Sequence, residues 1–314
     1  MSRVLLWATF GKADLAARLR QIGGGDVTVA DDAAGALRAL PDAEALLCQD
    51  FLYTPRIRDS GQRLKWVQLL TAGYDHAKRV GVAPGVTVTN AGDAFAPSVA
   101  AHAVALLLAL QRGLPAVLAN QARQAWDRTH AQRVTTPAGQ TIAIIGFGGI
   151  GREIARLLRG FGARIVAVTR SGRPHALADE SHPVAELAAV LPRADAVMLA
   201  LPLDASSRGL IGVRELALCK PSALLINIAR GAIVDQVALA EALGKGIIAG
   251  AGLDVADPEP LPPEHPLWRA PKLILTPHYA GACATLDGRI ADVAGDNLKR
   301  FLAGQPLQHV VALQ

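Results

Sequence analysis

The stretch Thr141-Ile-Ala-Ile-Ile145, running through Gly146-Phe147-Gly148-Gly149-Ile150-Gly151 into Arg152-Glu-Ile-Ala-Arg-Leu-Leu158, decides the fold of this chain. A β-branched apolar run enters a GxGxxG turn, and a helical pattern leaves it. Gly146 permits the tight turn, Gly148 lets the backbone approach a pyrophosphate, and Gly151 lets helix and strand pack closely. The free N–H groups and positive dipole of the helix N-terminus favour phosphate. A ligand-free turn also uses glycine, but hardly three at this spacing. The segment therefore reads as a dinucleotide-binding unit, with Gly146, Phe147, Gly148, Gly149, Ile150 and Gly151 as cofactor-binding candidates.

On both sides of this stretch, short β-rich runs alternate with Ala/Leu-rich helical patterns, the signature of parallel sheets covered by helices on both faces. Apolar runs at 164–168, 196–200, 223–228, 246–251 and 273–275 join 141–145 in an expected six-stranded sheet. Their near-continuous apolar character suits strands buried on both faces. Upstream, runs at 4–9, 27–30, 45–48, 66–70 and 86–89, with helical patterns at 13–22 and 33–40, make a second α/β unit. Between them lies a long apolar helical pattern, 98–124, broken by Gly113 and Pro115, expected to carry a hinge and an oligomer contact. The amphipathic pattern at 286–301 has no strand of its own to cover, so it is expected to pack back on the first unit. The expected domains are 1–98 with 282–314, and 99–281 for the cofactor.

A chain of 314 residues is long enough for two domains, and 51% hydrophobic with 19% charged residues is a globular composition. The 32 basic residues against 27 acidic ones, net +5, are scattered, which argues against a nucleic-acid partner and suits a small anionic substrate or phosphorylated cofactor. Cys48, Cys219 and Cys283 are far apart without CxxC spacing, so no disulfide framework or thiolate metal site is expected, and a reducing cytoplasm fits. The apolar run 4–10 stops at Gly11-Lys12, too early for a signal peptide. The longest apolar stretch, 99–110, contains His102 and falls short of the ~20 residues of a membrane span. A soluble cytoplasmic protein without a metal is expected.

The strand at 164–168 runs into Thr169-Arg170-Ser171-Gly172-Arg173, with no acid between Glu153 and Asp179. A carboxylate at that strand end would bind the ribose 2′-hydroxyl of NAD, whereas a guanidinium and small hydroxyls suit the 2′-phosphate of NADP. Thr169, Arg170, Ser171 and Arg173 therefore point to NADP(H), with NAD(H) possible; the alternative is that the arginines are solvated loop charges. Polar residues also stand where later apolar strands end: Asn227-Ile228-Ala229-Arg230-Gly231, Leu253-Asp254-Val255, Glu259-Pro260 and Thr276-Pro277-His278. The carboxyl ends of parallel strands line the ligand crevice, so these are site candidates by position.

Taken with Thr71-Ala72-Gly73-Tyr74-Asp75, Leu201-Pro202-Leu203 and Ile228-Ala-Arg230-Gly231-Ala-Ile-Val-Asp235, this ordered set resembles the D-isomer-specific 2-hydroxyacid dehydrogenase family, which includes glyoxylate and hydroxypyruvate reductases. The resemblance runs from about Trp66 to the C-terminal helix; residues 1–60 share only the layout of strands and helices. It implies an α/β chain of two doubly wound parallel-sheet domains, a Rossmann-type cofactor domain and a discontinuous flavodoxin-like substrate domain. It further implies that Arg230 binds and activates a 2-oxo acid, that Glu259 and His278 form the acid/base pair, and that Asp254 lies beside the nicotinamide. Leu201, Pro202, Ile228, Ala229 and His278 would border the cofactor, and the N–H groups of Ala72 and Gly73 would complete the carboxylate site on domain closure. A homodimer acting on a small 2-oxo or 2-hydroxy acid is implied as well.

Two departures stand out. Ala101, followed by His102, replaces a Glu common in the family, and Pro277 stands where formate-oxidising members carry Gln, which argues against formate. NAD-linked oxidation of another small anion, such as a D-2-hydroxy acid or phosphite, and a non-catalytic corepressor-like nucleotide sensor are the competing functions. His76 and His102 read as structural, Asp75 and Asp235 as local caps, and Phe51 and Tyr53 as either an aromatic pocket wall or ordinary core.

Overall fold

The computed structural model describes residues 2–22 and 25–313. The chain divides into two compact units, one of residues 1–95 with 283–314 and one of 96–282.

Unit 1 is built on a parallel sheet of β1 (Ser2–Trp7), β2 (Gly25–Ala30), β3 (Ala45–Cys48), β4 (Trp66–Leu69) and β5 (Thr87–Thr89), in the order β2-β1-β3-β4-β5. Alternation along each strand sends side chains to opposite faces. Leu6, Leu47 and Trp66 face α1 (Lys12–Ile22), while Leu5, Leu46 and Val67 face α2 (Ala33–Ala39), α3 (Pro55–Ser60) and α4 (Asp75–Val80). Asp32 caps α2 at Gly35 N and Thr54 caps α3 at Ile57 N, each satisfying a first-turn donor. Tyr53, 1% exposed, belongs to the second of these cores, whereas Phe51 points to solvent. Tyr53 is therefore ordinary core packing and forms no pocket wall with Phe51.

Unit 2 opens with α5 (Ala96–Gln111) and α6 (Leu114–Ala122), then alternates β6 (Thr141–Ile145), α7 (Gly149–Gly160), β7 (Arg164–Thr169), β8 (Glu180–Pro183), α8 (Leu187–Val190), β9 (Ala196–Leu199), α9 (Val213–Leu218), β10 (Leu224–Asn227), α10 (Gln236–Lys245), β11 (Gly250–Leu253) and β12 (Leu273–Leu275). The sheet is parallel, in the order β12-β11-β10-β9-β6-β7-β8. It has seven strands where the sequence suggested six. The addition, β8, is Glu-Ser-His-Pro at the sheet edge, half exposed, and such an edge carries no apolar run and tolerates proline. Two boundaries also move. Gly246, in the left-handed region at φ 69°, ends α10, so β11 starts only at Gly250. The division between units falls before Ala96 because α5 packs on α7, β10 and β11.

The run 92–111, 20 residues, is longer than the sequence reading allowed and apolar enough to cross a membrane by length and composition. Part of its apolar character is explained by its place in a protein core. Leu106 lies against Gly252 of β11 so closely that a Cβ there would meet its Cβ at 3.0 Å.

The final helix, α11 (Leu286–Leu302), belongs to unit 1 and lies along α1. Leu286, Ile290 and Leu298 are buried there, at about 1.5–3 kcal/mol each, and Phe301 stacks at 5.2 Å on Trp66. A buried polar knot fixes its register. Asn297 Nδ2 donates to Gln68 Oε1 (3.0 Å) and Gln308 O (3.0 Å), and its Oδ1 accepts from Gln308 N (2.8 Å). Gln68 Oε1 also accepts from Thr89 Oγ1, which in turn accepts from Trp66 Nε1. Removing one partner strands buried polar groups, so Asn297→Ala is expected to cost about 1–3 kcal/mol. Urea unfolding should show a lower midpoint with an unchanged slope, and an unmoved midpoint would contradict this role.

Candidate active site

In unit 2 the chain direction across the sheet reverses between β6 and β9, and there the loops at the carboxyl ends of neighbouring strands part to leave a crevice. Gly146 takes φ 93°, and a Cβ on it would lie 2.4 Å from Ala200 O, so only glycine fits between the two strand ends. Gly151 is equally tight against Gly146 O, at 2.1 Å. Gly148 differs, since a Cβ there meets nothing within 4 Å, leaving its backbone bare to the crevice at the start of α7. This is the cradle a pyrophosphate requires. The cleft holds about 360 Å³ and is lined by Gly146, Phe147, Gly148, Thr169, Arg170, Leu201 and Pro202 among others.

Of the other cofactor candidates, Ser171 and Arg173 are exposed without lining this cleft, and Thr169 Oγ1 accepts from Gly172 N (2.9 Å), which shapes the loop. Gly149, Ile150 and Gly151 lie in the first turn of α7 and are absent from the lining, as are Ile228 and Ala229, both buried. Asp204, absent from the sequence expectations, enters the cleft. Its Oδ1 accepts from Ser206 Oγ (2.6 Å), Ser206 N (2.8 Å) and Ser207 N (3.1 Å), and its Oδ2 lies 3.4 Å from Arg170 Nη2. The Ser206 hydroxyl first, then the loop N–H groups and Arg170, hold its carboxyl below the ordinary range against the effect of partial burial. The Asp-Ala-Ser-Ser sequence was a readable turn signal, but its proximity to Arg170 was not.

Arg230 follows β10, where Asn227 braces the turn by donating Nδ2 to Arg230 O (2.9 Å) and accepting Ala229 N at Oδ1 (3.0 Å). Gly231 then passes so close to Ala256 that a Cβ would lie 2.0 Å from its carbonyl carbon. That approach brings the loop after β11 beside the loop after β10. In it, Glu259 Oε1 accepts from Ala256 N (2.9 Å) and Oε2 lies 2.7 Å from His278 Nδ1. A carboxylate can only accept, so Nδ1 carries the proton. Nε2 makes no hydrogen bond among the described residues. Arg230 is close enough to influence the charge of both.

The backbone of His278 is at φ 51°, held by Asp254. This carboxylate, 1% exposed, accepts from Thr276 Oγ1 (2.6 Å), Tyr279 N (3.1 Å) and Ala280 N (2.9 Å), while Asp254 O accepts His278 N (2.8 Å). Because the Thr276 hydroxyl proton goes to Asp254, His102 Nε2 at 3.0 Å donates to Thr276 Oγ1. His102 is thus part of this support, and Ala101 beside it is exposed. Asp235 caps α10 at Ala238 N, as a local role requires. Asp254, Glu259, Trp268 and His278 border a second groove of about 670 Å³.

In unit 1, Thr71 Oγ1 donates to Gly73 O (2.8 Å) and Asn90 Nδ2 to Ala72 O (2.7 Å). The N–H groups of Ala72 and Gly73 have no partner among the described residues and suit an anion. Among the described residues no group of three His, Cys, Asp or Glu side chains could hold a metal ion, and the cysteines are free.

Comparison with known proteins agrees with this architecture. Residues 104–280 match the model of the D-isomer specific 2-hydroxyacid dehydrogenase, NAD binding domain. A glyoxylate reductase of Thermococcus gammatolerans is 38% identical over 257 residues, 79% of this chain and 76% of that protein. A D-3-phosphoglycerate dehydrogenase of Mycobacterium tuberculosis is 33% identical over 86% of this chain, which spans only about half (51%) of that longer protein. The crystal structure of an NADPH-dependent glyoxylate/hydroxypyruvate reductase from Sinorhizobium meliloti, in complex with NADP and sulfate, superposes with a TM-score of 0.86 at 27% identity, over 100% of this chain and 99% of that one. The family match and the dehydrogenases and reductases among the relatives, added to the two parallel-sheet units and the crevice, make this chain a nicotinamide-dependent oxidoreductase. The chain belongs to the D-isomer-specific 2-hydroxyacid dehydrogenase family.

The Glu259 hydrogen bond, opposed in part by burial and by Arg230, raises the His278 pKa above its ordinary value. Burial would raise that of Glu259, but the His278 and Ala256 hydrogen bonds and the nearby charges outweigh it, and the net shift is downward. The His278 contribution to stability is therefore full below about pH 6.5 and lost as pH rises through the raised value. That of Glu259 is present above about pH 4.5 and lost as pH falls through the lowered value. Glu259→Gln is expected to lower the His278 titration midpoint, followed by the ring-proton NMR shifts; an unmoved midpoint would break the proposed coupling.

Proposed function

We propose that this protein reduces a small 2-oxo acid, glyoxylate or hydroxypyruvate before others, to the D-2-hydroxy acid with NADPH. The observation that carries the proposal is the 2.7 Å pair of Glu259 with His278 Nδ1, which leaves Nε2 without a hydrogen bond among the described residues, with Arg230 near enough to influence the charge of the ring. In this mechanism the Arg230 guanidinium pairs with the substrate carboxylate and polarises the keto oxygen, a fork-shaped task that lysine performs poorly. His278 passes the Nε2 proton to the oxygen as negative charge develops there, and Glu259 stabilises the imidazolium beforehand. The bound reduced nicotinamide supplies the hydride. Gly146, Phe147 and Gly148, with Leu201 and Pro202, would hold the cofactor in the cleft they line, and Gly149, Ile150, Gly151, Ile228, Ala229 and Asp254 would shape the site from outside that lining.

Arg170 and Thr169 in the cleft, and the absence of an acid at the end of β7, support NADPH as the preferred form; Ser171 and Arg173, on the same loop but outside the lining, would assist. Exposed Leu114, Val117, Leu118 and Trp126, the last 97% exposed, support a homodimer through α6 and the segment after it. Three free cysteines support a cytoplasmic setting. One observation favours the alternative of NAD-linked oxidation of a D-2-hydroxy acid or another small anion: the Asp204 carboxylate stands next to Arg170.

Nicotinamide absorbance with NADPH and NADH in parallel on glyoxylate, hydroxypyruvate and pyruvate tests the proposal. His278→Ala is expected to lower kcat by roughly 10²–10⁴-fold. Arg230→Lys is expected to raise KM about tenfold or more. Faster turnover with NADH would overturn the cofactor preference, and no turnover with either cofactor on the panel would overturn the assigned substrates.

A further inference from the structure

We propose that Asp204 is a specificity-determining residue of the cofactor site: its carboxylate competes with a 2′-phosphate for Arg170 and so limits how far NADPH is preferred over NADH. The inference rests on the assignment of Arg170 to the 2′-phosphate and adds a residue that opposes it. Three observations carry it. Asp204 and Arg170 line the same cleft, from the loops after β9 and β7, with Oδ2 3.4 Å from Nη2. The carboxylate is fixed there, since Oδ1 is engaged by Ser206 N, Ser206 Oγ and Ser207 N. Its own N–H donates to Ser207 Oγ (2.8 Å), and that buried hydroxyl donates to Pro202 O (2.8 Å). The side chain of Arg170, in contrast, is 86% exposed and can move. A mobile guanidinium between a fixed carboxylate and an incoming dianion must share its charge. Two anions paired with the same guanidinium would repel each other, and salt with a Debye length of about 8 Å would screen that repulsion little. NADH, which presents a hydroxyl in place of the phosphate, escapes that repulsion.

The geometry also specifies a clean variant. In Asp204→Asn, the retained oxygen can keep the bonds made by Oδ1, while the amide replaces only the oxygen that faces Arg170. Dissociation constants for NADPH and NADH, measured by isothermal titration calorimetry, are compared for the wild type, Asp204→Asn, Arg170→Ala and the double variant. An unchanged thermal midpoint verifies that the turn is intact. Asp204→Asn is expected to bind NADPH roughly threefold to tenfold tighter, with NADH unchanged, and to lose that gain when Arg170 is alanine. If Arg170→Ala weakens NADPH binding but Asp204→Asn leaves it unaltered, competition is overturned and the NADPH assignment stands. If Arg170→Ala leaves NADPH binding unaltered, both fall together. Weaker NADH binding by Asp204→Asn also overturns competition, since the carboxylate would then hold the ribose hydroxyl.

Discussion

The buried carboxylate of Asp254 is the interaction on which the candidate site depends. A carboxylate 1% exposed is tolerable only if its oxygens are satisfied, and here the donors are Thr276 Oγ1, Tyr279 N and Ala280 N. All three belong to the segment that holds His278, so satisfying the charge fixes the loop. His278 is placed at φ 51°, a region that non-glycine residues seldom adopt, and its N–H is tied to Asp254 O. That placement sets His278 Nδ1 against Glu259 and turns an ordinary imidazole into one with a raised pKa.

Close backbone approaches do comparable work for the nucleotide crevice. Gly146 against Ala200, Gly151 against Gly146 and Gly231 against Ala256 are contacts that any Cβ would forbid. They draw the loops after β6, β9, β10 and β11 together at the carboxyl end of one sheet. A parallel sheet presents all its strand ends on the same side, so residues distant in sequence, such as Arg170, Asp204 and Arg230, share one edge.

Much of this was legible because the strands are near-continuous apolar runs and the glycine loop has a steric logic visible in the sequence. What escaped lacked such a signal. Strand β8, Glu-Ser-His-Pro, is held by its pairing with β7 and has no hydrophobic pattern. Tyr53 was ambiguous because an aromatic ring suits a core and a pocket wall equally, and only packing with Ile57 and Val67 in one core decides it. His102 has no local motif that announces its hydrogen bond to Thr276, 174 residues away.

The sequence by itself determined the alternation of strand and helix, the glycine turn and the residue types at strand ends, because local periodicity and the steric freedom of glycine act within a few residues. The pairing of Glu259 with His278 followed only from the family resemblance until the structure set them 2.7 Å apart, and tertiary structure alone decided the support of His278 by Asp254 and His102 and the entry of Asp204 into the space beside Arg170. Those are questions of distance between loops joined through a sheet. Hydrogen bonds and charge interactions act over a few ångströms, and no spacing in the chain encodes which strand ends become neighbours.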